Sequence, residues 1–251
     1  MIPSLGVKAK VSPAAGTTLK TGLISVWEFE ETSGSTTYDS HGSNNLTISS
    51  GVTLNQTGKT GKCFSFNGST GQLATSSASD FEGLGDFSIA AWTYSSYATS
   101  SNDYRIVFSK TLSTWVSPYY QIQLRMRHYN INSWECFFGT SNNFAGIVQN
   151  GVYSTNAWTH VAVTRDAFTG DMDIYINGQH MGSPTRTQLP LTGNTGTAST
   201  PIIVGDDADL VSSFYNWNGL IDQMAVWNKV LSSSEISDLY NSGDGLHYNN
   251  W

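Results

Sequence analysis

The chain has 251 residues, 39% of them hydrophobic and 12% aromatic, but only 12% charged, and its net charge is −7. That length admits one large β-sandwich or two small domains, and a domain of this size buries about 70 to 75% of its unfolded surface without help from disulfides or a metal. The acidic balance argues against nucleic acid as a partner, since phosphate-backbone binding needs clustered Lys and Arg. No apolar run approaches the roughly 18 residues of a membrane span, so a soluble chain without a membrane partner is expected.

Residues 1–21 hold Pro3, Pro13, Gly16 and three lysines but no hydrophobic period, which reads as an extended N-terminal arm outside the main fold, used for attachment or simply frayed. Lys8 and Lys10 interrupt any secretory apolar stretch, so ordinary secretion is not expected if this is the native chain. From Gly22 onward, short apolar or alternating runs are separated by Gly, Asn, Ser and Asp clusters, the pattern of a sandwich. Strands are predicted over 23–29, 63–66, 87–94, 104–110, 120–127, 134–139, 160–165, 172–177, 202–205 and 219–228. Cys63 and Cys136 are too few for a disulfide framework and lack zinc partners, so they read as reduced core thiols.

Asn177-Gly178 ends an alternating run with a pair that tolerates positive φ, so the chain should reverse there. Ser232 and Glu235 form a capping box ahead of Ile236, Leu239 and Tyr240, with Gly243 as a stop, which predicts one short helix packed on the sandwich. With no internal repeat and no second core composition, residues 22–251 read as a single domain.

Four segments in order carry a family likeness. They are Gly22-Leu23-Ile24-Ser25-Val26-Trp27-Glu28-Phe29 with Asp39 to Asn45, Gly58 to Gly68, Trp158-Thr159-His160-Val161-Ala162-Val163 through Asn177-Gly178, and Gly219-Leu220-Ile221-Asp222 through Trp227 with Leu231 to Tyr240. Over about 22–247 the chain resembles the laminin-G-like branch of the concanavalin A-like lectin and glucanase superfamily. The resemblance implies an all-β fold, a two-sheet antiparallel jelly-roll sandwich with one short C-terminal helix.

Asp39, Asn44 and Asp222 match positions where relatives often carry a structural calcium, an ion that takes hard oxygen ligands; an Asx-turn at Asp39 and Asn44 explains those two without any ion. Gly205-Asp206-Asp207-Ala208-Asp209 is a second acidic loop, readable as a cation site or a solvated turn. Aromatics crowd several loops, and flat rings on a rim can stack on sugar faces; Trp115, Tyr119, Trp217 and Tyr215 are the expected ligand-binding residues, although most sandwich aromatics are core. His160, inside a Trp-x-His-Val-Ala strand, reads as a packing residue. The Glu-x-Asp-x-x-Glu arrangement shown by this fold's glucanases is missing, so no enzyme is expected.

Modules resembling this one are common in bacteriophage virion proteins. The resemblance thus implies a non-catalytic virion decoration, fibre or tail-associated protein on the virion surface, with the arm bound to a virion or surface-lattice protein and many copies, or a homo-oligomer, binding glycan weakly. The rival expectations are a purely structural capsid-cementing protein, a polysaccharide-degrading glycosidase, and an extracellular or cell-surface adhesin.

Overall fold

A computed structural model describes residues 19–75, 78–96, 103–111, 120–128, 132–151, 154–182, 184–207 and 215–251. Two antiparallel sheets stack face to face, as the alternating runs require. The back sheet runs in the order Gln179–His180, Met172–Ile176, Trp158–Arg165, Phe87–Ser95, Asn218–Trp227, Lys62–Asn67, Val52–Thr57, and Leu23–Trp27 also pairs with Asn218–Trp227. The front sheet runs Thr185–Thr187, Phe144–Asn150, Ser133–Gly139, Tyr120–His128, Asp103–Thr111, Ile202–Val204, Leu73–Ala74, Leu46–Ile48, Thr36–Thr37.

The strands at Val52–Thr57 and Phe144–Asn150 were not expected from sequence. Val52–Thr57 is an edge strand whose open positions are polar, and Phe144–Asn150 lies next to an edge strand, with Gly146 inside it and Gln149 and Asn150 at its end, so neither stands out as an apolar run. The Asn177-Gly178 reversal is present, with φ 51° and 76° at the two residues.

The core lies between the sheets. From the front come Ile122, Leu124, Met126, Trp134, Cys136 and Phe138, and from the back Ile89, Ala91, Val161, Val163, Ile174 and Ile221, all buried in one cluster. A second apolar layer covers the outer face of the back sheet. There Ala90, Ala162 and Ala225 leave room for Ile236 and Leu239 of the helix Ser233–Tyr240, whose Ser232–Glu235 capping box is fully formed.

Leu19 belongs to this layer, fully buried, and its carbonyl accepts the Trp227 Nε1 hydrogen at 2.6 Å. The fold therefore takes in residues assigned to the arm. Among the described residues, no helix is long and apolar enough to cross a membrane.

Candidate functional site

Because side chains alternate along a strand, sending Ile122, Leu124 and Met126 into the core turns Gln123 and Arg125 to the outer face of the front sheet. Across the sheet Ser109 and Phe137 stand opposite Gln123, and Glu135 opposite Arg125. Outward polar residues ordinarily meet water, yet Gln123, Arg125 and Glu135 are buried, so each needs a partner.

Arg125 is the centre of that network. Its Nε donates to Glu135 Oε2 at 2.8 Å, and its Nη1 donates to Gln123 Oε1 at 2.7 Å and to the Tyr120 hydroxyl at 3.3 Å. Ser133 Oγ donates to the other Glu135 oxygen at 3.2 Å. Burial works against the Arg125 charge, but Glu135 and Tyr120 more than offset it and hold its pKa above the ordinary value. Rings sandwich the guanidinium, Tyr104 at 4.2 Å and Phe137 at 4.6 Å from its carbon. Phe137 can lie over the neighbouring strand because Gly146 opposite it has no side chain; a Cβ there would stand 2.4 Å from the ring.

Tyr215 extends the stack, nearly parallel to Tyr104 with ring centres 6.2 Å apart, and its carbonyl is tied to the Ile106 amide at 2.9 Å. Tyr104, Tyr120, Gln123, Arg125 and Tyr215 line a cavity of about 110 Å³. Burial, with Tyr120 and Tyr104 nearby, raises the Tyr215 pKa, so its hydroxyl keeps its proton and can donate. Asp207 sits beside the cavity with both oxygens hydrogen-bonded: Oδ1 accepts from Ser109 and Thr111 at 3.1 and 2.9 Å, and Oδ2 from Gln123 at 2.6 Å. Burial pushes the adjacent Asp206 carboxyl up to about 6.

A wider, open depression of about 530 Å³ lies at the edge of the back sheet, lined by Gly151, Ser154, Ile176, Asn177, Gln179, Met181 and Tyr240. Among the described residues it offers no charged group and one aromatic ring, Tyr240, which is already stacked on Trp92 at 5.6 Å.

Of the expected ligand-binding residues, Tyr215 lines the front-sheet cavity, whereas Trp115 and Tyr119 lie outside the described residues. Trp217 is a correction. It is fully buried between the sheets, 6.3 Å from Trp134 in a stacked arrangement, so its ring cannot meet a sugar. Backbone bonds hold it there, its N–H on Gly205 and its carbonyl under the Gly68 amide. Sequence reasoning missed Tyr104, Gln123 and Arg125 as site residues. The available signal was the row Gln121, Gln123, Arg125, Arg127 alternating with Ile122, Leu124 and Met126, which marks a polar outer face.

The residues expected to hold calcium do not fit one ion. Asp39 Oδ1 accepts the Val26, His41 and Gly42 amides and its Oδ2 the Asn44 amide, all within 3.1 Å, so N–H groups point where a cation would need bare oxygen. Asn44 turns its own NH₂ to Ser25 and Asp80. Asp222 belongs to a separate network, its Oδ2 accepting the Lys59 and Thr60 amides. Among the described residues, no three His, Cys, Asp or Glu side chains are grouped to hold a metal. His160 is packed against Trp92 and Tyr240, and burial lowers its pKa to about 3.

Two packed antiparallel sheets with a polar, aromatic-lined outer face define a jelly-roll module of the lectin and glucanase type. The chain belongs to the concanavalin A-like lectin/glucanases superfamily, whose family model matches residues 67–237. A comparison with curated proteins finds no match.

Among solved structures it is similar to the botulinum neurotoxin serotype D ligand binding domain in complex with N-acetylneuraminic acid, at 16% identity and a TM-score of 0.64 over 87% of this chain and 50% of that one. The receptor binding domain of botulinum neurotoxin D gives 16% identity and a TM-score of 0.64 over 90% of this chain and 54% of that one. Trypanosoma rangeli sialidase gives 16% and 0.60, over 89% of this chain and 33% of that one. These identities establish a shared fold, and this chain spans a third to about half of those proteins.

Proposed function

We propose that this protein is a non-catalytic, surface-displayed module that holds a saccharide on the outer face of its front sheet. The observation that carries the reading is the Arg125 guanidinium fixed between Tyr104 and Phe137 beside a cavity lined by two further tyrosines. Flat rings and fixed hydrogen-bond donors are what recognition of a sugar's apolar face and polar edge requires. The sialic-acid complex of a similarly folded botulinum domain supports this reading by analogy of fold.

The carboxylates around the cavity support a binding role over hydrolysis. A glycosidase needs one carboxyl as acid and a second as base or nucleophile, both facing the scissile bond. Glu135 is instead paired with Arg125, and Asp207 accepts three hydrogen bonds. Asp206, raised to about 6, favours the rival hydrolase reading; that reading predicts reducing-sugar release from a polysaccharide panel that Asp206→Asn abolishes.

As its cellular setting we propose a virion decoration, fibre or tail-associated protein, attached through the N-terminal arm and present in many copies, so that weak single-site binding becomes useful avidity. A multimerised form should bind a subset of glycans on an array, and Tyr104→Ala with Tyr215→Ala should abolish that binding while leaving the melting transition cooperative. Signals at background for the intact protein would refute the saccharide reading. Loss of particle association on deleting residues 1–18, with the fold retained, would distinguish anchoring from a free lectin.

A further inference from the structure

We infer that the group seated in the front-sheet cavity is a carboxylate, making the ligand an acidic saccharide such as a terminal uronate; this rests on the saccharide-binding reading above. The first argument is size. At about 110 Å³ the cavity is well below the roughly 300 Å³ at which pockets begin to enclose whole small ligands, so it admits one substituent while the ring lies on the aromatic rim.

The second argument is the kind of hydrogen-bonding group left over. Arg125 spends Nε on Glu135 and Nη1 on Gln123 and Tyr120, whereas Nη2 has no acceptor among the described residues. Tyr104 and Tyr215 line the same cavity, and their hydroxyls likewise have no hydrogen-bond partner among those residues. The carboxylate and amide oxygens nearby already carry protein donors: Glu135 accepts from Arg125 and Ser133, Asp207 from Ser109, Thr111 and Gln123, and the Gln123 carbonyl from Arg125.

What remains is a guanidinium edge that can only donate, flanked by two phenols that can donate or accept. A sugar hydroxyl could give its hydrogen to a phenol, but only an acceptor-rich, charged group satisfies the guanidinium edge and both phenolic hydrogens at once, and an ionised carboxylate is such a group. Among the described residues the charged groups of this network are Arg125 and Arg127 against Glu135 and Asp207, so recognition depends on directed donors near the anion and not on an excess of positive charge.

The test compares two trisaccharides that differ only in the terminal residue, glucuronic acid or glucose, by titration calorimetry or saturation-transfer NMR. Donation from a charged or phenolic group to a carboxylate should favour the acid form by about tenfold or more. Tyr104→Phe/Tyr215→Phe keeps both rings and removes both hydroxyls; it should cut acid binding by about fivefold or more, and by more than it cuts any binding of the neutral form. Equal binding of the two sugars overturns the carboxylate inference while the saccharide reading stands. An acid preference that survives the double variant also overturns it, by placing the anion elsewhere. Binding of neither sugar, or of any other array glycan, removes both.

Discussion

Replacing Asp222 by Asn should abolish a specific pH dependence of folding. Asp222 is fully buried at the bulge in Asn218–Trp227; its Oδ2 accepts the Lys59 and Thr60 amides at 2.7 and 2.9 Å, and its Oδ1 has no hydrogen-bond partner among the described residues. Burial pushes its pKa up to about 8 from an ordinary 3.8, against the pull of those two amides and with a further upward push from Glu30. A carboxyl whose folded pKa exceeds its unfolded one stabilises most when protonated. Its contribution is complete below the unfolded pKa and is lost as pH rises toward the folded one.

Each pH unit inside that window costs about 1.4 kcal/mol, so between pH 5 and 7 the wild-type protein loses about 3 kcal/mol through this group alone. His160, on the same row of the back sheet, works in the opposite sense. Its folded pKa is lowered to about 3, so its contribution is complete above the unfolded value near 6.5 and is lost on acidification. The raw wild-type profile therefore mixes both groups, and the difference between wild type and Asp222→Asn isolates the carboxyl. Asn keeps an oxygen for the two amides and carries no charge. Urea titrations at pH 5, 6 and 7, followed by tryptophan fluorescence, should show the variant gaining about 3 kcal/mol on wild type across that range. Parallel profiles would refute the reasoning.

Trp217→Ala should cost about 3 to 5 kcal/mol of stability, read as a lower urea midpoint, because it empties a fully buried site beside Trp134. Cys63 and Cys136 are buried thiols whose pKa burial raises to about 12, so a chromogenic disulfide reagent at about pH 8 should label neither until denaturant is added. Calcium at about 1 mM should leave the melting temperature within about 1 °C of that in chelator, since ligation at the Asp39 turn would have to displace its four amide donors. Deleting residues 1–18 should leave the urea midpoint unchanged, whereas extending the deletion through Leu19 should lower stability by about 2 to 5 kcal/mol by emptying a buried position and orphaning Trp227 Nε1.

Local chemistry was legible where a few neighbouring residues decide the outcome. Asn177-Gly178 reverses the chain because both residues accept positive φ, and Asn177 also receives the His160 amide on its side chain. Ser232 and Glu235 cap the helix reciprocally, as their spacing demands. The site was only partly legible, since it is assembled across strands that meet by sheet pairing. Tyr104, Arg125, Glu135 and Tyr215 come from four separate segments, and nothing within any one of them reveals the others. Tyr215 and Trp217 show the limit most clearly. Two positions apart in one Asn-rich stretch, they read alike in sequence, yet one ring lines the outer cavity and the other is buried against Trp134.

The two outer faces of the sandwich are chemically unlike, and this bears on how such a module works. On the back sheet, small residues at Ala90, Ala162 and Ala225 admit a lid of helix and tail, closed by Trp251 stacked on Trp227 at 5.6 Å and by Leu19 beneath. On the front sheet the outward positions are Gln123, Arg125, Glu135 and Phe137, too large and too polar for a lid of that kind, and they satisfy one another laterally. These lateral bonds and ring contacts hold Tyr104, Tyr215 and the outer edge of Arg125 in place before any ligand arrives. Little ordering then remains to oppose binding. Leu19, the first described residue, is fixed on the outer face of the back sheet, opposite the front cavity.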